Sequence, residues 1–298
     1  MEKLLFTGGT GFLGNSILPI LKKTYEVTTI GITPQDMLQC NLAKEVPELP
    51  GHYEVILHAC GKAHSVPKTE AEKQVFFDVN YQGTLNLCTA LEKVGVPKSF
   101  VFISTLSVYG TKTGEMIDET HPLNGTSPYA KSKIMAEKFL VEWAQKNNVI
   151  LSILRPSLMV GPNAPGNLGA MVNGIKKGRY LNIDHGKARK SLLMVYDIAN
   201  VLPKLVEVGG VYNICDDTNP SYGELSRLMC EQLGKRAPLS IPMWLAKPLA
   251  WIGNLIPSFP FNTYRLQKLT QTCTYSNEKI KRGLDWEPLN VLENLKVV

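Results

Sequence analysis

Thr7-Gly8-Gly9-Thr10-Gly11-Phe12-Leu13-Gly14 follows directly on the apolar run Leu4-Leu5-Phe6. Glycines at this spacing, after a strand and opening a helix, predict the first βα turn of a dinucleotide-binding sheet. Gly8 suits the tight turn, Gly11 lets backbone N–H groups approach a pyrophosphate, and Gly14 lets the helix lie close to the strand. The helix N-terminus adds partial positive charge facing the anion. Thr10, Phe12 and Leu13 belong to the same turn and are expected at the cofactor.

Beyond this turn, apolar runs alternate with amphipathic stretches, the rhythm of a parallel sheet covered by helices. Strands are expected at Lys3–Thr7, Glu26–Ile30, Val55–Ala59, Phe100–Ser104, Ile150–Arg155 and Val211–Cys215, with a short extra one at Leu38–Asn41. Helices are expected at Phe12–Lys22, Glu70–Val94 and Pro128–Asn147. The fold class is therefore α/β, a Rossmann-type doubly wound parallel sheet with a smaller C-terminal substrate-binding domain. Residues 1–160, with a return segment 191–215, make the dinucleotide-binding domain; 161–190 and 216–298 make the other.

Composition narrows the function. With 44% hydrophobic and 19% charged residues the chain is globular, neither disordered nor low in complexity. Its six cysteines form no Cys-x-x-Cys pair, which predicts reduced, mostly buried thiols and no metal site. The net charge of +6 comes without interleaved aromatics or a nucleic-acid motif, so a small anionic ligand is expected and nucleic acid is not. No signal peptide precedes the first strand and no apolar run reaches the roughly 18 residues of a membrane span, so a cytoplasmic protein is expected. The apolar stretch Met243–Phe261 is broken by Pro248, Pro257 and Pro260. Packing on the substrate-binding domain or a partner subunit is favoured there over membrane-surface contact.

Tyr129 and Lys133, four apart on one helical face, carry the chemistry. A phenol ionises near pH 10, too high to exchange protons readily at neutrality. A nearby ammonium favours the phenolate, so Lys133 is expected to lower the pKa of Tyr129. The pair then exchanges a proton with a carbonyl or alcohol beside a nicotinamide. The second strand ends Ile30-Gly31-Ile32-Thr33, with neither the acid that holds the ribose of NAD nor an arginine for NADP. NAD and NADP both stay open.

Together with His58-Ala59-Cys60-Gly61, Asp78-Val79-Asn80, Ser104-Thr105-Leu106-Ser107-Val108-Tyr109-Gly110 and Leu154-Arg155-Pro156, these motifs resemble the extended short-chain dehydrogenases/reductases of the NAD-dependent epimerase/dehydratase type. Closer similarity is to the subgroup that reduces or epimerises C4 of UDP-4-keto-6-deoxy-N-acetylhexosamines. The resemblance implies that Thr105 hydrogen-bonds the reacting sugar oxygen. It places Asn41, Leu42, Ala59, Cys60, Gly61, Asn80 and Pro156 at the cofactor, with Tyr129 and Lys133. It puts Lys190 at the substrate diphosphate, with Thr105 and Tyr129 at the sugar, and implies a homodimer through Glu70–Val94 and Pro128–Asn147. Leu158 stands where the family has a substrate-contacting asparagine. Leu106-Ser107 replaces the Asp-Glu pair of the dehydratases, so dehydration is not expected. His58 reads as a satisfied core or near-cofactor residue, and His64 as either a substrate contact or a loop residue.

The expected function is NAD(P)-dependent 4-keto reduction or C4 epimerisation of a nucleotide sugar for surface polysaccharide. The alternatives are reduction of a non-nucleotide small carbonyl compound and a non-catalytic dinucleotide sensor.

Overall fold

The apolar runs assemble into a parallel sheet because each strand is covered on both faces. The computed structural model describes residues 1–63, 65–256 and 261–297; His64, Pro257, Phe259 and Pro260 lie outside the described residues. The first half runs β1 (Lys3–Thr7), α1 (Phe12–Leu21), β2 (Glu26–Gly31), β3 (Leu38–Gln39), β4 (Val55–His58), α2 (Glu70–Phe77), α3 (Gly83–Val94), β5 (Ser99–Ile103), β6 (Gly114–Ile117), α4 (Pro128–Asn147) and β7 (Ile150–Pro156). Then come β8 (Leu158–Val160), α5 (Gly166–Lys176), β9 (Asn182–Ile183), β10 (Leu192–Met194), α6 (Asp197–Val208) and β11 (Gly210–Ile214). The chain continues with α7 (Tyr222–Gln232), β12 (Ser240–Ile241), α8 (Met243–Leu255), α9 (Thr263–Thr270), β13 (Cys273–Tyr275), α10 (Glu278–Leu284) and α11 (Val291–Asn294).

The main sheet has seven parallel strands in the order β11-β7-β5-β4-β1-β2-β3. Alternate residues feed opposite cores. Leu4, Phe6, Val55, Leu57, Val101 and Leu154 pack with α1 and α6 on one face. Leu5, Ile56, Phe100, Phe102 and Ile153 pack with α3 and α4 on the other. Burial on both faces explains why these strands read as continuous apolar runs rather than as alternation. Strand order reverses between β1 and β4, so their C-terminal ends, Thr7 and His58, flank the crevice where such sheets hold ligands.

The expected helix Glu70–Val94 is interrupted. Asp78–Gln82 forms a π-helical turn between α2 and α3, and Asn80 inside it is buried. Such wide turns recur at functional sites because they re-aim a side chain. In contrast, α4 keeps the expected bounds. Ser127 caps it by accepting from the Ala130 N–H, Pro128 fits its first turn, and Asn148 ends it in the left-handed conformation.

The remaining chain packs around Leu168, Met171, Leu225, Met229 and Val291, between α5, α7 and α11. Of three short parallel pairs, β6–β13 ties the late chain to the first half, β8–β10 extends from the end of β7, and β9–β12 lies within the C-terminal part. In α8, Ala246 and Ala250 pack against Ile183 and Leu266. The expected packing of this stretch thus holds in part: Met243 and Phe261 also pack against this cluster, whereas Trp244, Leu245, Trp251, Ile252 and Leu255 are exposed. Cys88, Cys215, Cys230 and Cys273 are buried and Cys40 and Cys60 half-buried, all as free thiols.

Candidate active site

The glycine turn is built to bring backbones together. Gly8 has φ +81°, and a Cβ on it would lie 2.9 Å from the Cys60 nitrogen. A Cβ on Gly14 would lie 2.3 Å from the carbonyl oxygens of both Gly8 and Gly9. Gly11 differs: its Cβ would meet only the Gly8 oxygen, at 3.5 Å, and its N–H donates to that oxygen. The protein's own packing does not require glycine there, and a bare backbone at this point suits the close approach of a ligand. Gly11 also begins α1 without any side-chain cap, so no capping side chain takes the first-turn N–H groups, an arrangement suited to an anion. Asn15 braces the loop by donating to the Thr10 carbonyl.

A closed relay fixes the crevice between β1 and β4. The Thr7 hydroxyl lies 2.7 Å from His58 Nδ1 and accepts from the N–H groups of Ala59 and Cys60. Thr84 donates its hydroxyl proton to the Asn80 carbonyl and lies 3.0 Å from His58 Nε2. His58 therefore carries its proton on Nε2, given to Thr84, and accepts from Thr7 at Nδ1. Burial, aided by the Lys133 charge, pushes its pKa down to about 3, so the ring stays neutral. It is a satisfied core residue that ties strand ends to α3.

Asn80 closes the far wall. Its Oδ1 accepts from the Lys62 N–H, and its Nδ2 donates to the Lys62 carbonyl and to Ser132 on α4. A Cβ on Gly61 would come within 3.0 Å of Asn80 Oδ1 and 3.4 Å of Lys133 Nζ. Ala59, Cys60, Gly61, Asn80 and Lys133 are thus brought together. Pro156 ends β7, opposite Ile214. Asn41 and Leu42 follow β3, which pairs with the β2 end: the Asn41 side chain accepts from the Ala43 N–H, and Leu42 is buried in the α3/α4 core.

At the sheet's C-terminal edge, Tyr129 stands beside the Thr105 side chain, whose Oγ1 accepts from the Ser107 N–H. Lys133 donates to the Ile103 carbonyl at 2.8 Å and lies 4.4 Å from the Phe102 ring centre. Its pKa falls to about 8 because burial disfavours the ammonium, with Cys60 and Glu137 opposing. The expected lowering of the Tyr129 pKa by Lys133 is not found. Burial raises it above 10, opposed by the neighbouring Thr105 side chain alone. The ammonium is committed to Ile103, and desolvation of the phenolate wins. Tyr129 is a proton donor in this state.

Below them lies a charged network. Glu137, one turn beyond Lys133, pairs with Arg155 of β7 at 2.6 Å, both nearly dry, and accepts from Ser104. Arg155 also donates to the Tyr109 hydroxyl, which donates to Asn213 of β11. Glu137 was missed from sequence, although the progression Tyr129, Lys133, Glu137 at intervals of four on an otherwise apolar face was a usable signal.

Asp36 was missed too, and it corrects the reading of the β2 end as lacking a carboxylate. It follows β2 on the loop, 5% exposed, yet its carboxylate lies where a side chain on Gly31 would begin. A Cβ on Gly31 would be 2.5 Å from Asp36 Oδ2 and 3.1 Å from Oδ1, and a Cβ on Gly9 would be 3.9 Å from Oδ1. Oδ2 accepts from the N–H and hydroxyl of Thr33. Oδ1 is buried without a partner. An orphaned acceptor between the glycine turn and the β2 end fits the ribose edge of a bound dinucleotide. Its loop position gave no spacing signal.

Lys190 is half-buried on the C-terminal side, bridged to Cys273. Burial lowers its pKa, and the neighbouring Lys268 charge lowers it further. Among the described residues no cluster of His, Cys, Asp and Glu could hold a metal.

Strand order, glycine turn and orphaned acid define a dinucleotide-binding α/β protein. The profile of the NAD dependent epimerase/dehydratase family matches residues 4–215, and the chain belongs to that family. It is 29% identical to the N-acetyl-alpha-D-glucosaminyl-diphospho-ditrans,octacis-undecaprenol 4-epimerase of Escherichia coli O157:H7, over 94% of this chain and 88% of that one. It is 27% identical to the GDP-6-deoxy-D-mannose reductase of Pseudomonas aeruginosa, over 77% and 80%. The structure of RMD from Pseudomonas aeruginosa complexed with NADPH shares the fold, with TM-score 0.75 at 20% identity and coverage of 98% and 95%.

Proposed function

We propose that this chain is an NAD-dependent enzyme acting at C4 of a diphosphate-linked hexose, by 4-epimerisation or 4-keto reduction, in the synthesis of surface polysaccharide. The observation that carries the reading is the placing of Tyr129 beside Thr105 at the sheet's C-terminal edge, with Lys133 packed against Gly61. Relatives that epimerise or reduce sugars support the substrate class.

When bound, the dinucleotide supplies or accepts a hydride. Gly8, Thr10, Gly11, Phe12, Leu13 and Gly14 would hold its pyrophosphate, and Ala59, Cys60, Gly61 and Asn80 would wall its path. Asp36 would accept from its adenosine ribose and, by charge, turn away the 2′-phosphate of NADP. Thr105 orients the sugar oxygen. Tyr129, holding its proton at neutral pH, gives that proton to a 4-keto oxygen and takes it back from an alcohol in the reverse direction. Lys133, charged below pH about 8, offers its ammonium to the cofactor side of the crevice. Glu137 and Arg155 hold α4 and β7 in position beneath them. Lys190 meets the substrate diphosphate. Residues 1–160 with 191–215 form the cofactor half and 161–190 with 216–298 the sugar half of a cytoplasmic homodimer paired through α2, α3 and α4.

The test is turnover of UDP-hexoses and their 4-keto forms while reduced nicotinamide is followed by absorbance. Stoichiometric oxidation defines a reductase; product without net change defines an epimerase. Tyr129→Phe lowers kcat about 100- to 10,000-fold with dinucleotide affinity intact. Unchanged turnover by that variant would remove Tyr129 from the chemistry.

A further inference from the structure

The helix α8 is amphipathic the wrong way round for a buried element. Ala246, Ala250 and Gly253 face inward, at intervals of four and three. Trp244, Leu245, Pro248, Trp251, Ile252 and Leu255 form a continuous outward stripe, with Trp244 74%, Trp251 62% and Leu255 65% exposed. Single exposed apolar residues are ordinary on a protein surface; a two-tryptophan stripe along one helix marks a contact face. Leu239, just upstream, and Ile256, just after, are exposed as well.

Charge identifies what covers it. Between Glu231 and Glu278 the sequence has no Asp or Glu, while Lys235, Arg236, Lys247, Arg265 and Lys268 supply five cations. Lys247 is exposed on α8 itself, and Lys268 lies on α9, which packs beside α8. We propose that this face docks the protein on the surface of an anionic phospholipid bilayer, α8 lying in the plane of the interface. Tryptophan, leucine and isoleucine enter the headgroup–acyl boundary while lysines and arginines meet lipid phosphates. A second copy of the chain fits poorly. A two-fold interface brings a patch against itself, and here it would set the exposed Lys247 of α8 and its basic surroundings against their own copies, with no acid in the segment to offset them. No helix among the described residues is long and apolar enough to cross a membrane, so the contact is peripheral. The docking stands independently of the catalytic reading.

The experiment is flotation of the full chain with phosphatidylcholine vesicles, with and without phosphatidylglycerol. The protein floats with the anionic vesicles, and salt releases it. Tryptophan emission shifts to the blue on binding, and Trp143 and Trp286 are buried, so the shift reports Trp244 and Trp251. The double variant Trp244→Ser/Trp251→Ser loses about tenfold or more in vesicle partition, since it removes two large apolar groups from the interface. Its melting temperature and its turnover of a soluble sugar nucleotide match the wild type. Lys247→Glu, an exposed change that leaves the core untouched, weakens binding in the same direction. The proposal is overturned if the wild type fails to float with anionic vesicles, or if both variants bind like it. It is equally overturned if light scattering shows a dimer that the tryptophan substitutions dissolve.

Discussion

Replacing Asp36 by asparagine removes a charge while keeping an oxygen for Thr33. In the native chain Oδ2 is held by the Thr33 N–H at 3.1 Å and its hydroxyl at 2.8 Å, whereas Oδ1 has no partner. A ribose hydroxyl donating to Oδ1 makes a hydrogen bond to a charged acceptor, worth about 1.5–3 kcal/mol, or roughly 10- to 150-fold in Kd. A 2′-phosphate about 5 Å away would meet repulsion of about 3 kcal/mol per unit charge at an effective dielectric near 20. Wild type therefore binds NADH at least about 100-fold more tightly than NADPH. In Asp36→Asn, NADH weakens about tenfold and NADPH tightens, so the ratio collapses. Titration of nicotinamide fluorescence reads both constants without any sugar substrate. Gly31→Asp with Asp36→Ala supplies a second arm. The shortened residue 36 relieves the 2.5 Å contact that a Cβ at 31 would make, and the acid returns to the strand end with NADH preference restored. Equal affinities for the two cofactors in wild type, or an unchanged ratio in Asp36→Asn, would refute the assignment.

Glu137→Gln leaves Arg155 buried without its counter-charge, which costs about 3–5 kcal/mol in urea unfolding. Because Glu137 also raises the Lys133 pKa, the alkaline limb of the pH–rate profile moves to lower pH in this variant. A purely structural role for Glu137 would leave that limb in place. Gly14→Ala puts a Cβ 2.3 Å from two carbonyl oxygens and forces α1 off β1. Stability falls by about 1–3 kcal/mol and NADH binding is lost, as calorimetry and titration would show. Asp197 is fully buried and its pKa is raised from 3.8 to about 7, chiefly by desolvation. A raised carboxylate pKa gives stability that is complete below pH about 4 and lost as pH rises through about 7, at most about 4 kcal/mol. Wild-type melting temperature therefore falls relative to Asp197→Asn across that window, and parallel curves would contradict the burial argument.

The fold was legible because its signals are local and repeated. Leu4–Phe6, Val55–Leu57 and Phe100–Ile103 are apolar on both faces, so a parallel sheet could be read without any contact in view. The α4 helix could be bounded to the residue because Ser127, Pro128 and Asn148 write its ends in side-chain chemistry. The π turn at Asp78–Gln82 was invisible, since its cause is tertiary: Asn80 is drawn to Lys62 and Ser132, neither a sequence neighbour. Asp36 was hidden for the same reason, a loop carboxylate taking a space that Gly31 vacates. The Tyr129–Lys133 spacing was read correctly as geometry and wrongly as electrostatics, because a helical interval fixes where side chains start and not what their ends bind. Lys133 reaches Ile103 rather than Tyr129, so it is burial and Thr105 that set the acidity of the phenol. It follows that the protonation state of Tyr129 must respond to what fills the crevice. Any bound group that brings positive charge or a donor to its oxygen will lower a pKa that burial raises above 10.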